Sequence, residues 1–331
     1  MDLDRRSFLA LGASAVPVGA AIGAAGVAWG QGALPDKPIR IVIGFEAGGG
    51  ADAVARAIAA RLQRQVGRYV SVESRTGSFG ALPGEVVRKG PIDGSQLALL
   101  SSTTLVSRLA SKDFPYNPAV DLAPITQVGT FPIAFAVSPT LGVESFPDYL
   151  QWLKAGEARR RRIAVSSNTA FVQVLNILLA QSTGEVLEAV SYRGAVPMVN
   201  DLQDGRIPAT VNTVTSLLPA HRGGRCRILF VTGNKRLAIA PNIPTAPELG
   251  YSRLDMEEWF AFLASPATPP SLLATWNRTL RAVMEDSDVV GELRPLGLEV
   301  KTSSPEELTA RIDIHQNEWM ARMKTAGLQP V

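Results

Sequence analysis

Short apolar segments alternate with helix-patterned segments along this chain, and this alternation constrains the fold more than any other feature. Residues 39–45 form a continuous apolar run, typical of a buried strand. In residues 51–66, Val54, Ile58 and Leu62 recur every four residues, as on one helix face. Further strands are predicted at 70–73, 96–100, 131–137, 162–166, 186–191, 209–211, 227–231 and 259–264, and further helices at 148–154, 171–182, 271–286 and 305–326. The alternation predicts an α/β fold with mainly parallel sheets.

The length of the chain predicts two lobes. The part of the 331-residue chain beyond residue 33 has more residues than one ordinary hydrophobic core accommodates. The apolar strands at 131–137 and 259–264 each stop at a Ser-Pro pair, and they bracket a block of ordinary domain size. We expect one lobe to comprise residues 34–132 and 260–331 and the other residues 133–259, with the two strands crossing between them. The alternation alone also allows one long sheet.

The N-terminal segment is predicted to be an export signal. Arg5 and Arg6 precede Ser7-Phe8-Leu9 and an Ala- and Gly-rich apolar run at 10–29, the pattern of the twin-arginine route. We expect cleavage between residues 28 and 33, and a free periplasmic protein without a lipid anchor. The alternative is an uncleaved anchor helix, for which the run is short and only weakly hydrophobic.

The composition disfavours several classes of protein. The only cysteine, Cys226, allows no internal disulfide and is expected to be a buried free thiol. His221 and His315 lie far apart in sequence without cysteine partners, so no metal site is predicted. The arginine run at 159–162 has no second basic cluster beside it. We therefore interpret it as a solvated start of a strand, not as a nucleic-acid site.

The loop at 45–52 is the sharpest candidate for ligand binding. Three consecutive glycines, Gly48 to Gly50, lie between a predicted strand and a predicted helix. Glycines let the backbone approach a ligand, and the N-terminus of a helix offers unpaired N–H groups to an anion. Ligands of open α/β sheets bind at the carboxyl ends of the strands, where this loop is expected to lie.

The same loop supports a rival hypothesis. Gly48, Gly50 and Ala53 match a loose dinucleotide fingerprint, and Glu73 ends the next strand where an acid would bind a ribose. An exported nicotinamide-dependent oxidoreductase is therefore an alternative. Its weakness is that Glu46 and Ala47 intervene between the strand and the glycines, which normally follow at once.

Polar loops follow three further strands, at 101–104, 166–169 and 191–195. Each one alone is typical of a turn and helix cap. Together they place hydroxyl, amide and N–H donors after successive strands in both halves of the chain. No serine lies in a Gly-x-Ser-x-Gly elbow, so the sequence shows no hydrolase machinery.

Taken in order, the motifs resemble the Bug family, the substrate-binding proteins of tripartite tricarboxylate transporters. The matching segments are Pro35-Asp36-Lys37-Pro38, Phe45, Gly48-Gly49, Asp52 with Ala55-Arg56, 72–77, Asp93-Gly94, 114–118, 121–124, Tyr192-Arg193-Gly194, Asp201-Leu202, Pro244-Thr245 and Trp259-Phe260. They extend over nearly the whole chain beyond residue 33.

The resemblance implies a type II periplasmic binding-protein fold, with two lobes that close over a small carboxylated solute. It implies a monomer that binds no cofactor, catalyses no reaction and passes the solute to membrane permease subunits; a sensor as the receiving partner is the alternative. By position, it assigns ligand binding to Phe45, Glu46, Ala47, Gly48, Asp52, Ser102 and Thr103 in the first lobe and to Ser167, Asn168, Thr169, Ala170, Tyr192, Arg193 and Asn212 in the second.

Three departures from the family pattern point to an atypical ligand. Glu46 and Ala47 stand in place of two prolines, and a carboxylate at Glu46 would repel an acid or pair with an amine. Thr169, Ala170 and Gln173 replace the family residues of the middle loop. Asn212 replaces an aspartate, and we hypothesise that it donates a hydrogen bond to the ligand.

Overall fold

The computed structural model describes residues 33–77, 80–109, 111–166 and 170–328. The predicted signal, up to residue 32, lies outside them. The strands are β1 Ile39–Ile43, β2 Val70–Ser74, β3 Gln96–Ser101, β4 Ala123–Val137, β5 Arg162–Val165, β6 Glu188–Ser191, β7 Ala209–Thr213, β8 Arg227–Val231, β9 Glu257–Ala264 and β10 Glu299–Val300. The helices are α1 Gly50–Val66, α2 Ala81–Arg88, α3 Ser102–Val106, α4 Phe146–Lys154, α5 Ala170–Thr183, α6 Ala195–Gln203, α7 Val214–Arg222, α8 Pro270–Met284, α9 Ser287–Leu293 and α10 Pro305–Thr325.

The strands form one continuous path in the order β2-β1-β3-β9-β4-β7-β5-β6, with β8 and β10 paired to β4. Parallel pairs lie toward both ends of this path, between β1 and its neighbours β2 and β3 and between β5 and its neighbours β6 and β7. In the middle, β4 and β9 run antiparallel to every strand that they pair with. The prediction of mainly parallel sheets was therefore wrong for the centre of the fold.

β4 joins the two halves of the sheet. Its first part, from Ala123 to Pro132, pairs with β9, whereas its last part, from Ile133 to Val137, pairs with β7 and β8. A chain that leaves one set of partners for another in mid-strand is a crossing strand, as predicted for residues 131–137. The residue boundaries assigned to the two lobes stay a prediction.

Apolar side chains fill both halves. In the half around β4, β7 and β8, Phe135 stacks on Phe230 at 5.3 Å and meets Phe146 and Tyr149 edge-on. In the other half, helix α1 packs against strands β1 and β2 and helix α8 packs against β4. Cys226 is a buried free thiol, as predicted. Within the described part of the chain, no helix is long and apolar enough to cross a membrane.

Candidate functional site

A cavity of about 500 Å³ lies at the carboxyl ends of strands from both halves of the fold. Its volume is in the range of small-molecule sites. One side is formed by the loop after β1 and the loop after β3, and the other by the loops after β6 and β7. The wall combines apolar side chains with polar groups; it includes Phe45, Glu46, Thr103, Phe131, Ile133, Ser166, Arg193, Val211, Asn212, Ser216 and Glu258.

Helices α1, α6 and α7 begin at this cavity. Gly50 and Ala51 start α1, Ala195 starts α6, and Thr213 directly precedes α7; all four residues line the wall. The N–H groups in the first turn of a helix have no acceptor within the helix, and the dipole adds partial positive charge there. The cavity is therefore surrounded by backbone donors suited to an anion.

The loop after β1 is held by a buried carboxylate. Asp52 is 3% exposed, and its Oδ2 accepts hydrogen bonds from the N–H of Gly48 at 2.9 Å and from Nε of Arg56 at 2.8 Å. The bond to Gly48 closes the loop over the first turn of α1. Asp52 itself does not line the cavity, so it acts on the loop and not directly on the ligand.

The two sides of the cavity approach each other closely at two glycines. The N–H of Gly50 donates to Ser216 Oγ at 3.3 Å, and a Cβ on Gly50 would lie only 2.5 Å from the backbone carbon of Thr215. At the second place, a Cβ on Gly194 would lie 2.6 Å from Cγ of Glu46. Side chains cannot occupy these positions unless the two sides separate.

Glu258 is a fully buried carboxyl group in the cavity wall, with a residue exposure of 2%. Its Oε2 accepts hydrogen bonds from Ser102 Oγ at 2.5 Å, from the Thr103 N–H at 3.1 Å and from the Thr103 hydroxyl. Its Oε1 has no hydrogen-bond partner among the described residues. Burial raises the pKa of Glu258, and the hydrogen bonds from Ser102 and Thr103 oppose this rise without cancelling it.

Asn212 lies in the cavity wall at the end of β7. Its Oδ1 accepts the N–H of Thr213 at 2.7 Å, and its Nδ2 lies 3.4 Å from Sδ of Met198. The amide is thus oriented by protein groups on both ends. The hypothesis that Asn212 donates to the ligand stays a prediction; its NH₂ group has two hydrogens, so one can contact the sulfur while the other donates.

The structure brings only some of the predicted site residues together. Phe45, Glu46, Thr103, Arg193 and Asn212 line the cavity. The other assigned residues that the structure describes do not line it: Ala47, Gly48, Asp52, Ser102 and Tyr192. Ser167, Asn168 and Thr169 lie outside the described residues, and Ala170 begins α5.

Two of the assigned residues that do not line the cavity, Ser102 and Tyr192, donate hydrogen bonds to other protein side chains. The Ser102 hydroxyl binds Glu258, and the Tyr192 hydroxyl donates to Asp201 at 2.9 Å. This bond and burial raise the pKa of Tyr192, with burial the larger cause. Arg193, in contrast, is exposed at the wall and has no hydrogen bond or ion pair among the described residues.

The sequence analysis missed Glu258 and the start of α7, whereas the start of α6 lies at the end of the polar loop that it named at 191–195. Glu258 follows Glu257 at the beginning of an apolar strand, and a pair of acids there is typical of a solvated strand end. Only the alternation of side chains along a strand could have separated exposed Glu257 from buried Glu258. Glu73, the acid of the dinucleotide hypothesis, is ion-paired with Arg40 and Arg75 and does not line the cavity.

Comparison with known proteins gives a consistent result. Residues 54–328 match the family described as the tripartite tricarboxylate transporter family receptor. Protein BugT of Bordetella pertussis is 28% identical over 297 residues, which cover 88% of this chain and 90% of BugT. The structure of R. palustris Rpa4515 with adipate is 28% identical and superposes with a TM-score of 0.84, covering 90% of this chain and 99% of its own.

The fold agrees with that of a further solved structure, the periplasmic binding protein BugD. It superposes with a TM-score of 0.83 at 24% identity and covers 90% of this chain and 100% of its own. The two-lobed binding-protein fold predicted from the sequence is thereby confirmed.

Proposed function

The chain belongs to the tripartite tricarboxylate transporter receptor family, and we propose that it captures a small dicarboxylate in the cavity between its lobes. The observation that carries this proposal is the convergence of α1, α6 and α7, whose N-termini all meet the cavity. One carboxylate of the solute accepts hydrogen bonds from backbone N–H groups of these helix starts other than those of Gly50 and Thr213, which already donate to Ser216 and Asn212. Arg193, exposed at the wall and free of protein partners among the described residues, attracts the same charge.

The apolar part of the wall suits a carbon chain between two carboxylates. Phe45 packs edge-on against Phe260 at 5.7 Å, and Phe131 lies 4.5 Å from the same ring, so the floor of the cavity is rigid and apolar. R. palustris Rpa4515, solved with adipate, is a relative that supports a solute of this shape. Groups that bind and orient a solute dominate this wall, and we propose binding without chemical transformation.

We further propose that the protein acts in the periplasm after removal of residues 1–33, as a monomer, and delivers its solute to the permease subunits of a tripartite transporter. The family match supports the permease as partner. The periplasm and the cleaved signal follow from the twin-arginine pattern at Arg5 and Arg6.

Isothermal titration of the refolded, solute-stripped protein tests the proposal. The panel contains acetate, succinate, glutarate, adipate, citrate, glutamate and nicotinamide dinucleotides. We expect at least one dicarboxylate to bind and to raise the melting temperature, because a ligand at a hundredfold its Kd adds about 2.7 kcal/mol to the free energy of unfolding. Binding of a dinucleotide alone would overturn the proposal and restore the oxidoreductase alternative.

Arg193→Gln tests the role of charge at the cavity, with Arg159→Gln as the matched control. Arg159 has a side chain 81% exposed and does not line the cavity. We expect Arg193→Gln to weaken dicarboxylate binding about tenfold or less, since the arginine is exposed and its field is screened by salt. The control variant should bind as the unchanged protein does. Equal affinities for all three proteins would remove Arg193 from the binding site.

A further inference from the structure

The hydrogen bonds around Glu258 determine which of its oxygens can carry a proton. The N–H of Trp259 donates to Ser102 Oγ at 3.1 Å, so the proton of the Ser102 hydroxyl is directed to Oε2 of Glu258. The N–H and hydroxyl of Thr103 donate to the same oxygen. An oxygen that already accepts three hydrogen bonds has no lone pair left for a proton. If Glu258 is a carboxylic acid, its proton therefore lies on Oε1.

The surroundings of Glu258 favour the neutral acid. No basic side chain pairs with it among the described residues, and its neighbouring elements β3, β4 and α3 contain no charged residue. A buried carboxylate without a cation is costly, so burial favours the protonated form. The hydrogen bonds to Oε2 act in the opposite direction but are the smaller effect.

Charged groups on the other elements near Glu258 change this balance little. Helices α2 and α10 pack against the face of β9 that carries Trp259, and they bear Glu85, Arg88, Arg311, His315 and Arg322. Of these, only Arg322 acts on Glu258, as the weakest of the contributions. Glu46 and Arg193, of opposite charge, line the same cavity. Glu257, its neighbour on β9, is exposed.

We propose that Glu258 binds the solute as a carboxylic acid and donates its own proton from Oε1 to a carboxylate of the solute. The proposal rests on the dicarboxylate function above and assigns one of its two carboxylates to Glu258. A neutral acid can hold an anion at a place where an ionised acid would repel it. Glu258 lines the cavity, and its Oε1, which has no hydrogen-bond partner among the described residues, then receives one from the solute.

This arrangement couples binding of the solute to uptake of a proton. Above the pKa of Glu258 in the free protein, each solute bound takes up one proton from the buffer, and the affinity falls by up to tenfold per pH unit. An ionised Glu258 would behave differently: it would accept a hydrogen bond from an ammonium or hydroxyl group, and it would select solutes such as amino acids without proton uptake.

The test uses the full mature protein and the series succinate, glutarate and adipate. Titrations between pH 6.5 and 9.5, in buffers of different ionisation enthalpy, give the number of protons taken up. Glu258→Gln is the decisive variant, because its amide oxygen can accept the three bonds at Oε2 and its NH₂ replaces the proton on Oε1. Glu257→Gln, the exposed neighbour on the same strand, is the matched control.

We expect the unchanged protein to take up protons on binding wherever the pH lies above the pKa that Glu258 has in the free protein. Glu258→Gln should bind within about threefold of the unchanged protein at pH 6.5 and lose both the proton uptake and the pH dependence. Glu257→Gln should keep both the proton uptake and the pH dependence.

Two results would overturn the proposal. One is proton release on dicarboxylate binding, or a proton uptake that persists unchanged in Glu258→Gln, at any pH in the range. The other is a dicarboxylate affinity more than tenfold lower at pH 6.5 in a folded Glu258→Gln variant than in the unchanged protein. If that variant does not fold, proton uptake by the unchanged protein decides. Failure of every carboxylate to bind the unchanged protein would instead overturn the proposed function, and the role of Glu258 with it.

Discussion

Asp52 acts on the ligand loop from behind the cavity. The family resemblance assigned it to the ligand, but its carboxylate binds the N–H of Gly48 and the guanidinium of Arg56. Since Gly48 immediately precedes Gly49 and Gly50 in the wall, the position of those backbone groups depends on this one buried side chain. The charge of Asp52 also raises the pKa of Arg56, mainly through their hydrogen bond.

Asp52→Ala is therefore expected to weaken dicarboxylate binding about tenfold and to lower the free energy of unfolding by about 1–3 kcal/mol, because it removes the hydrogen bonds that this carboxylate accepts from Gly48 and Arg56. Arg56→Ala is the comparison. Its side chain is 56% exposed, and loss of such a surface ion pair costs about 0–1 kcal/mol. Titration calorimetry and urea unfolding give both quantities. Equal effects of the two substitutions would show that the ion pair, and not the bond to Gly48, holds the loop.

The residues of the site were predictable where local sequence determines them. The glycine loop after β1 identified Phe45 and Glu46, and the polar turn after β3 identified Thr103. The role of Glu258 could not be predicted from the sequence, because it depends on hydrogen bonds with Ser102 and Thr103. These residues lie 156 and 155 positions away in the chain. No local pattern encodes a hydrogen bond across that distance.

At the scale of elements, the buried strands were the easiest to predict. β8 has the predicted bounds, and β1, β2 and β3 differ by one or two residues at one end. The first half of β4 was missed because Pro124, Thr126 and Gln127 interrupt its apolar pattern, and its register with β9 shifts there. α7 was missed because Pro219 lies inside it. In both cases tertiary packing overrides the low propensity of proline for the interior of a strand or helix.

α10 carries a histidine that should limit stability in acid. His315 is 5% exposed, lies beside the rings of Trp259 and Trp319, and its Nε2 has no hydrogen-bond partner among the described residues. Burial, and to a lesser degree Arg311 and Arg322, lower the pKa of His315 to about 3. The unfolded value is about 6.5. Because the folded pKa is the lower one, stability is full above pH 6.5 and declines as the pH falls toward 3.

His315→Leu is expected to remove this contribution, which amounts to about 1.4 kcal/mol per pH unit below pH 6.5. The melting temperature should then fall less steeply between pH 6.5 and 4 than in the unchanged protein. Asn317→Leu, at an exposed position of the same helix, controls for the change in helix composition. If His315→Leu and the unchanged protein lose stability in parallel, His315 is already charged in the folded state and its buried environment does not keep it neutral.

At the scale of the whole molecule, the cavity exists because its two sides touch where α1 and α7 begin. Gly49, Gly50 and Ala51 line one side of this contact, and Thr213 and Ser216 line the other. The absence of a side chain at Gly50 permits the approach, since a Cβ there would lie 2.5 Å from both the backbone carbon and Oγ1 of Thr215. The width of the cavity thus depends on this position, as it does on the contact of Gly194 with Glu46.

Gly50→Ala should push the two helix starts apart and widen the cavity. Alanine otherwise suits the first turn of a helix better than glycine does, so a loss of function would come from the contact and not from helix propensity. We expect dicarboxylate affinity to fall at least tenfold by titration calorimetry, while the circular dichroism spectrum stays unchanged. Gly291→Ala in α9, where a Cβ meets no atom within 4 Å, is the matched control and should bind normally. Unchanged affinity in Gly50→Ala would mean that α7 yields to the methyl group, and that the solute is held without this close approach of the two lobes.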